Sequence, residues 1–178
     1  MSRALGTQEL RILTIGYEGA SVEGFLQTLK AAGVTTLLDV RELPLSRRKG
    51  FSKNVLAGLL IAAGIHYQHE RAFGAPRHIR HRLREDGDLA RYFADFREYL
   101  ATQRTVLDTL AQALSGAVAL LCYERNPTEC HRSVVATALA RRAKSTVEHL
   151  SVPLHDLKQA SRASHPHPHP RQSLSATE

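Results

Sequence analysis

Apolar, β-branched stretches that alternate with helically spaced ones predict an α/β protein, a single-domain αβα layered fold around a mainly parallel sheet. Two of the stretches, VTTLLDV at 34–40 and AVALLCY at 117–123, are apolar almost throughout. Strands buried on both faces must read this way. The turn chemistry agrees. Ser21, Ser52 and Asn126 stand where helices should open, and Gly33, Gly64 and Gly116 where they should close. At 178 residues, 43% hydrophobic and 23% charged, the chain has material for one core without disulfides, and a wholly disordered chain is excluded.

In chain order, residues 1–10 read as an N-terminal extension and 11–158 as the domain. Arg11–Ile15 is a short β-rich run ending at Gly16. Ser21 caps a helix over Val22–Ala32, and Val34–Val40 is the next strand. A basic loop covers 41–51, Ser52 opens a second helix through Ala63, and Ile65–Tyr67 gives a third, short strand. Over Asp88–Leu100 the apolar positions 89, 92, 93, 96, 99 and 100 have helical spacing. Thr102–Leu114 continues as another helix before the strand Ala117–Tyr123. Asn126-Pro127-Thr128-Glu129 resembles a capping box with proline at the first helical position, opening a helix through Arg142. Thr146–Leu150 is a last strand, and the Ser/His/Pro-rich residues 159–178 read as a disordered tail.

The longest apolar run, Val55–Ile65, is interrupted by two glycines and is far shorter than the ~20 residues of a spanning helix. With no apolar leader-like segment and only two cysteines, the expectation is a cytoplasmic protein that does not enter a membrane. Charge points to the partner. Lys+Arg 24 against Asp+Glu 17 gives +7, and 19 of the 24 cations are arginine. That balance favours an anionic small molecule or nucleic acid.

In parallel sheets ligands sit beyond the carboxyl ends of the strands. Three loops leave the clearest strands there. The first, Gly16-Tyr17-Glu18-Gly19, offers close backbone approach ahead of a helix, an arrangement that can cradle phosphate. It lacks the full dinucleotide fingerprint. The second, DVRELPLSRRKGF at 39–51, concentrates Arg41, Ser46, Arg47, Arg48 and Lys49, with Asp39 either orienting Arg41 or acting as a base. The third, YERNPTECHR at 123–132, places Cys130 and His131 near the start of the expected helix, where amides and the dipole lower a thiol pKa. Cys130 is then a nucleophile or a packing residue. Glu124 is an acid or base, and Arg132 an oxyanion ligand. A cysteine-phosphatase C-x5-R signature is absent. No metal set emerges: the cysteines are eight apart without C-x-x-C, and Cys122 alternates into an apolar strand as a core residue. The sequence leaves the cofactor unknown.

TIGYEG (14–19), DVRELPLSRRKGF (39–51), GIHYQHE (64–70) and LLCYERNPTECHR (120–132) together resemble the family described as domain of unknown function 488. The resemblance spans roughly 12–142. It implies that Gly16, Tyr17, Glu18, Gly19, Asp39, Arg41, Pro44, Ser46, Arg47, Glu124, Cys130, His131 and Arg132 belong to one site, without implying a reaction. Where family members carry Leu-Gly-Gly, this chain has Phe73-Gly74-Ala75, a change expected to narrow one wall.

Residues 69–84 hold five arginines and three histidines against one glutamate. They read as a solvated linker or as a track for phosphodiesters through Arg77, Arg80, Arg82 and Arg84, with Tyr67 and Phe73 as stacking rings. His78 and His81 lack the further ligands of a metal site, and the His-Pro pairs at 165–170 read as low-complexity tail. Two functions follow. One is a small enzyme acting on a phosphate-type substrate through Cys130, His131, Asp39 and Glu124. The other is a non-catalytic nucleic-acid or nucleotide binding module built on the basic segment.

Overall fold

A computed structural model describes residues 9–154. The elements run β1 (Arg11–Gly16), α1 (Val22–Ala31), β2 (Thr36–Asp39), α2 (Lys53–Ala62), β3 (His66–His69), α3 (Arg77–Asp86), α4 (Leu89–Thr102), α5 (Arg104–Ala113), β4 (Ala117–Cys122), α6 (Arg132–Ala143) and β5 (Val147–Leu150). The five strands form one parallel sheet in the order β3-β2-β4-β1-β5. The expected N-terminal extension through residue 8 and the tail at 159–178 lie outside the described residues. Among the described residues no helix is long and apolar enough to cross a membrane.

Alternation along the strands makes two cores. Leu13, Ile15, Leu37, Ala119 and Leu121 face α1 and α2 through Phe25, Leu29, Leu56 and Leu60. Ile12, Leu38, Val118 and Leu120 face the other layer, α3 to α6, through Ile79, Phe96, Leu107 and Leu139. The sheet is therefore covered on both sides, which is why its central strands carry no polar face.

Three local outcomes differ from the sequence reading. The basic segment is not a linker: Arg77–Asp86 is a helix, closed by Gly87 in the left-handed conformation (φ 67°). Its single buried side chain, Ile79, gives too thin an apolar stripe to register against so many arginines. Ser52 sits at the N-cap position of α2 without capping it; its hydroxyl donates to the Ser46 carbonyl (3.1 Å) and pins the basic loop. Asn126 does cap, accepting from the Thr128 amide (3.1 Å), but on a 3-10 turn at Pro127–Glu129, and Glu129 accepts from the Asn126 side chain (2.9 Å) and not from its backbone amide, so the reciprocal box does not form; Cys130 is extended, and α6 starts only at Arg132.

Strand order positions the site. β4 lies between β1 and β2, with Gly16 level with Cys122 and Asp39 level with Leu121. The loops after these three strands therefore emerge side by side at one sheet edge.

Candidate functional site

Asp39, at the end of β2, has no exposed surface. Its carboxylate accepts from the Arg41 amide (3.1 Å), Arg41 Nε (2.8 Å), Arg41 Nη2 (2.5 Å) and the Tyr67 hydroxyl (2.7 Å). Arg41 also donates from Nη1 to the Phe51 carbonyl (2.9 Å) and the Tyr17 hydroxyl (3.1 Å). Tyr17 in turn stacks on Phe51 at 4.4 Å. One ion pair thus fastens the first loop to both ends of the second. Burial works against the guanidinium charge, but the bonds to Asp39 more than offset it and raise the Arg41 pKa. Of the two roles expected for Asp39, this is the orienting one; with its oxygens engaged and enclosed, it offers no base to a ligand.

The GYEG loop, expected as a phosphate cradle, packs against the third loop. A side chain at Gly16 would place its Cβ 1.9 Å from the Glu124 carbonyl oxygen, so glycine permits the backbones of the first and third loops to touch. The Glu18 amide donates to the Tyr123 carbonyl (2.9 Å), and the Glu18 carboxylate accepts from the Arg125 amide (3.0 Å). Gly19 supplies a left-handed turn (φ 73°). These groups join loop to loop.

Arg132 is likewise not a surface anion ligand. It is fully buried and donates to the carbonyls of Glu124 (2.5 Å) and Arg125 (3.0 Å), holding the third loop against α6. Among the described residues it has no carboxylate partner, and its Nε has no acceptor.

Above this scaffold lies a cleft of about 520 Å³. Its floor holds Cys122, Glu124 and His131. The Cys122 and Cys130 thiols both donate to Glu124 Oε2, at 3.1 and 3.0 Å, and Cys122 Sγ is 3.8 Å from His131 Nδ1. His131 Nε2 is 2.9 Å from the Val40 carbonyl oxygen. Burial would raise the Glu124 pKa; the two thiol hydrogen bonds reverse that and hold it below its ordinary value. Burial pushes the Cys130 thiol well up, and its neighbour Cys122 adds to the shift. The expected lowering of the Cys130 pKa is therefore corrected. The helix begins only at Arg132, and the thiol is buried beside Cys122, where loss of water disfavours the thiolate. Cys122 is corrected too: buried as expected of a core residue, it nevertheless turns its thiol into the cleft floor beside Glu124.

The rim brings together what the sequence kept apart. Arg47, Arg48 and Ser46 come from the second loop, and Arg80 and Arg84 from α3. Arg80 pairs with Glu42 and donates from Nε to the Ala75 carbonyl (2.9 Å); Arg48 reaches the Ala20 carbonyl. Arg47 and Arg84 are exposed and have no ion pair among the described residues. Arg77 and Arg82 point elsewhere, the latter paired with Asp95 at 2.7 Å. Phe73 is core and Tyr67 is tied to Asp39, so neither offers a stacking face. Tyr17, Tyr92 and Tyr123 line the cleft instead, with Leu43 and Leu45. Of the two changes expected to narrow a wall, Ala75 lines the cleft, whereas Phe73 is buried in the core and does not.

Sequence reasoning missed Tyr92 and Glu42. The spacing of Tyr92 marks a core-facing helix position, and it is: the same buried ring meets the cleft. No curated protein and no solved structure matches the chain. The family model for the domain of unknown function DUF488 matches residues 21–139, which includes the second and third loops and α3 and begins after the GYEG block. Two thirds of the chain lies within that match, and the chain belongs to this family.

Proposed function

We propose that the cleft binds a phosphate-bearing small molecule of nucleotide size, and that the chain is an enzyme acting on it. The observation that carries this reading is the convergence of Arg47, Arg48, Arg80 and Arg84 above a floor of Cys122, Glu124 and His131. Guanidinium groups from two separate elements can grip one oxyanion from two sides, and their planar forks suit phosphate. The volume lies within the range of small-ligand sites, and Tyr17, Tyr92 and Tyr123 give the apolar part of a nucleotide a wall. The floor supplies the chemistry: a carboxylate, an imidazole and a thiol within reach of one bound group. Cys122, which lines the cleft, replaces the enclosed Cys130 as the candidate reactive thiol. Two free cysteines support a cytoplasmic setting.

A binding module for long nucleic acid draws less support, because Arg82 is engaged by Asp95 and His81 faces Glu85. The test is thermal unfolding with inorganic phosphate, mononucleotides and short oligonucleotides, on wild type and on Arg47→Glu/Arg84→Glu. A mononucleotide at about 100 times its Kd should add roughly 2.7 kcal/mol of apparent stability, lost in the double variant. Stabilisation by oligonucleotides alone, insensitive to both substitutions, would transfer the function to the outer face of α3. No response to any phosphate compound would end the proposal.

A further inference from the structure

We propose that Cys122, Glu124, Cys130 and His131 bind a divalent metal ion of the zinc class at the floor of the cleft. One donor atom from each lies within 4.8 Å of the other three. A tetrahedral ion with ordinary zinc bond lengths sets its donors about 3.3–3.8 Å apart. Three of the six donor separations are 3.0, 3.1 and 3.8 Å and none exceeds 4.8 Å, so the donors must shift by up to about 1 Å to close the shell. Two sulfurs, one imidazole and one carboxylate select zinc over magnesium or calcium, which prefer oxygen donors.

Two further observations point the same way. The Val40 carbonyl can only accept a hydrogen bond, so His131 Nε2 carries a proton and Nδ1 is the nitrogen left for an ion; Cys122 Sγ lies 3.8 Å from Nδ1 and 4.0 Å from Nε2, so the ring must turn to aim Nδ1 at that ion. A backbone carbonyl that fixes the tautomer in this manner is the usual companion of a metal-bound histidine. The second is charge. Two thiolates and a carboxylate around a divalent ion leave a net negative centre. The fully buried Arg132, without a carboxylate of its own among the described residues, donates to the backbone carbonyls of Glu124 and Arg125 and so brings a cation to the segment that carries one of the donors. On binding, each thiol releases its proton to solvent as its sulfur bonds the ion, while Glu124 exchanges two S–H donors for the metal. This site depends on none of the rim arginines, so phosphate binding is tested apart from it, but it shares the floor with the proposed chemistry: with an ion bound, Cys122 is a ligand and not a free nucleophile.

The experiment is titration of the reduced, metal-free full-length chain with Co²⁺ and Zn²⁺. Expected are one ion per chain, a thiolate-to-cobalt charge-transfer band displaced by zinc, release of about two protons, and a Tm rise of about 5–10 °C. Cys122→Ser and Cys130→Ser should each lose at least about half of the band's intensity and the double variant all of it, whereas Arg47→Glu/Arg84→Glu should keep it. The wild-type spectrum and proton count stand even where a cysteine variant folds poorly. Metal uptake without a charge-transfer band would mean binding at histidines elsewhere, including those of residues 165–169, and would overturn the site. So would a band of wild-type intensity in both cysteine variants. Failure of the reduced chain to take up either ion would refute the proposal outright.

Discussion

Asp39→Ala is the substitution that best tests how the site is held together. The carboxylate it removes accepts four hydrogen bonds, three from Arg41 and one from Tyr67, with no exposed surface. Its loss leaves the Arg41 guanidinium, 6% exposed, without a counter-charge. Breaking a buried pair from one side costs about 3–5 kcal/mol, because the remaining charge keeps its desolvation penalty. For a chain of this size that corresponds to a Tm lower by roughly 6–20 °C. The assay is urea unfolding of wild type, Asp39→Ala, Arg41→Met and the double variant. The double variant removes both charges, so it should be more stable than Asp39→Ala alone, with a coupling of at least about 1 kcal/mol. Additive losses, or a loss below about 1 kcal/mol for Asp39→Ala, would refute the claim that this pair fastens the loops.

Gly16→Ala should cost at least about 2 kcal/mol in the same assay, since its Cβ meets the Glu124 carbonyl, which is backbone and cannot rotate away; a neutral effect would show that the two loops do not touch. Arg132→Ala should destabilise by about 2–4 kcal/mol by leaving two buried carbonyls short of donors, yet the folded variant should still gain stability from a cleft ligand. A variant of unchanged stability that no longer responds to phosphate would restore Arg132 as an anion ligand. His149 should titrate below its ordinary 6.5, because partial burial and the nearby Arg132 charge both disfavour the imidazolium. Between that lowered pKa and 6.5 the unfolded chain binds more protons, so this group makes stability rise with pH there. An NMR titration giving 6.5 or higher would remove it.

The sheet was legible because its central strands must be apolar on both faces, and so was the convergence of three loops, which follows from parallel topology. What escaped depends on partners that spacing does not encode. Arg132 and Arg47 carry the same charge in arginine-rich segments, but one reaches inward to two carbonyls and the other lies exposed on the rim. A helix of ten residues with one buried side chain has almost no periodic signal, so α3 read as a linker and its arginines as a separate surface. The eight-residue interval between the cysteines looked too irregular for a shared site. In the fold it is bridged by a 3-10 turn that doubles back on the end of β4.

That turn also explains why the two cysteines divide their roles. Pro127 and the Asn126 side chain, which accepts from the Thr128 amide at 3.1 Å, close the turn early. Cys130 is thereby delivered in an extended conformation beneath the floor, while Cys122 stays at the strand end facing the cleft. Both thiols converge on one carboxylate oxygen, whose backbone is fixed from below by Arg132. Glu124 is therefore the hinge between the buried scaffold and the open cleft. Any chemistry at the floor, whether of the side chains themselves or of an ion they hold, must pass through its position.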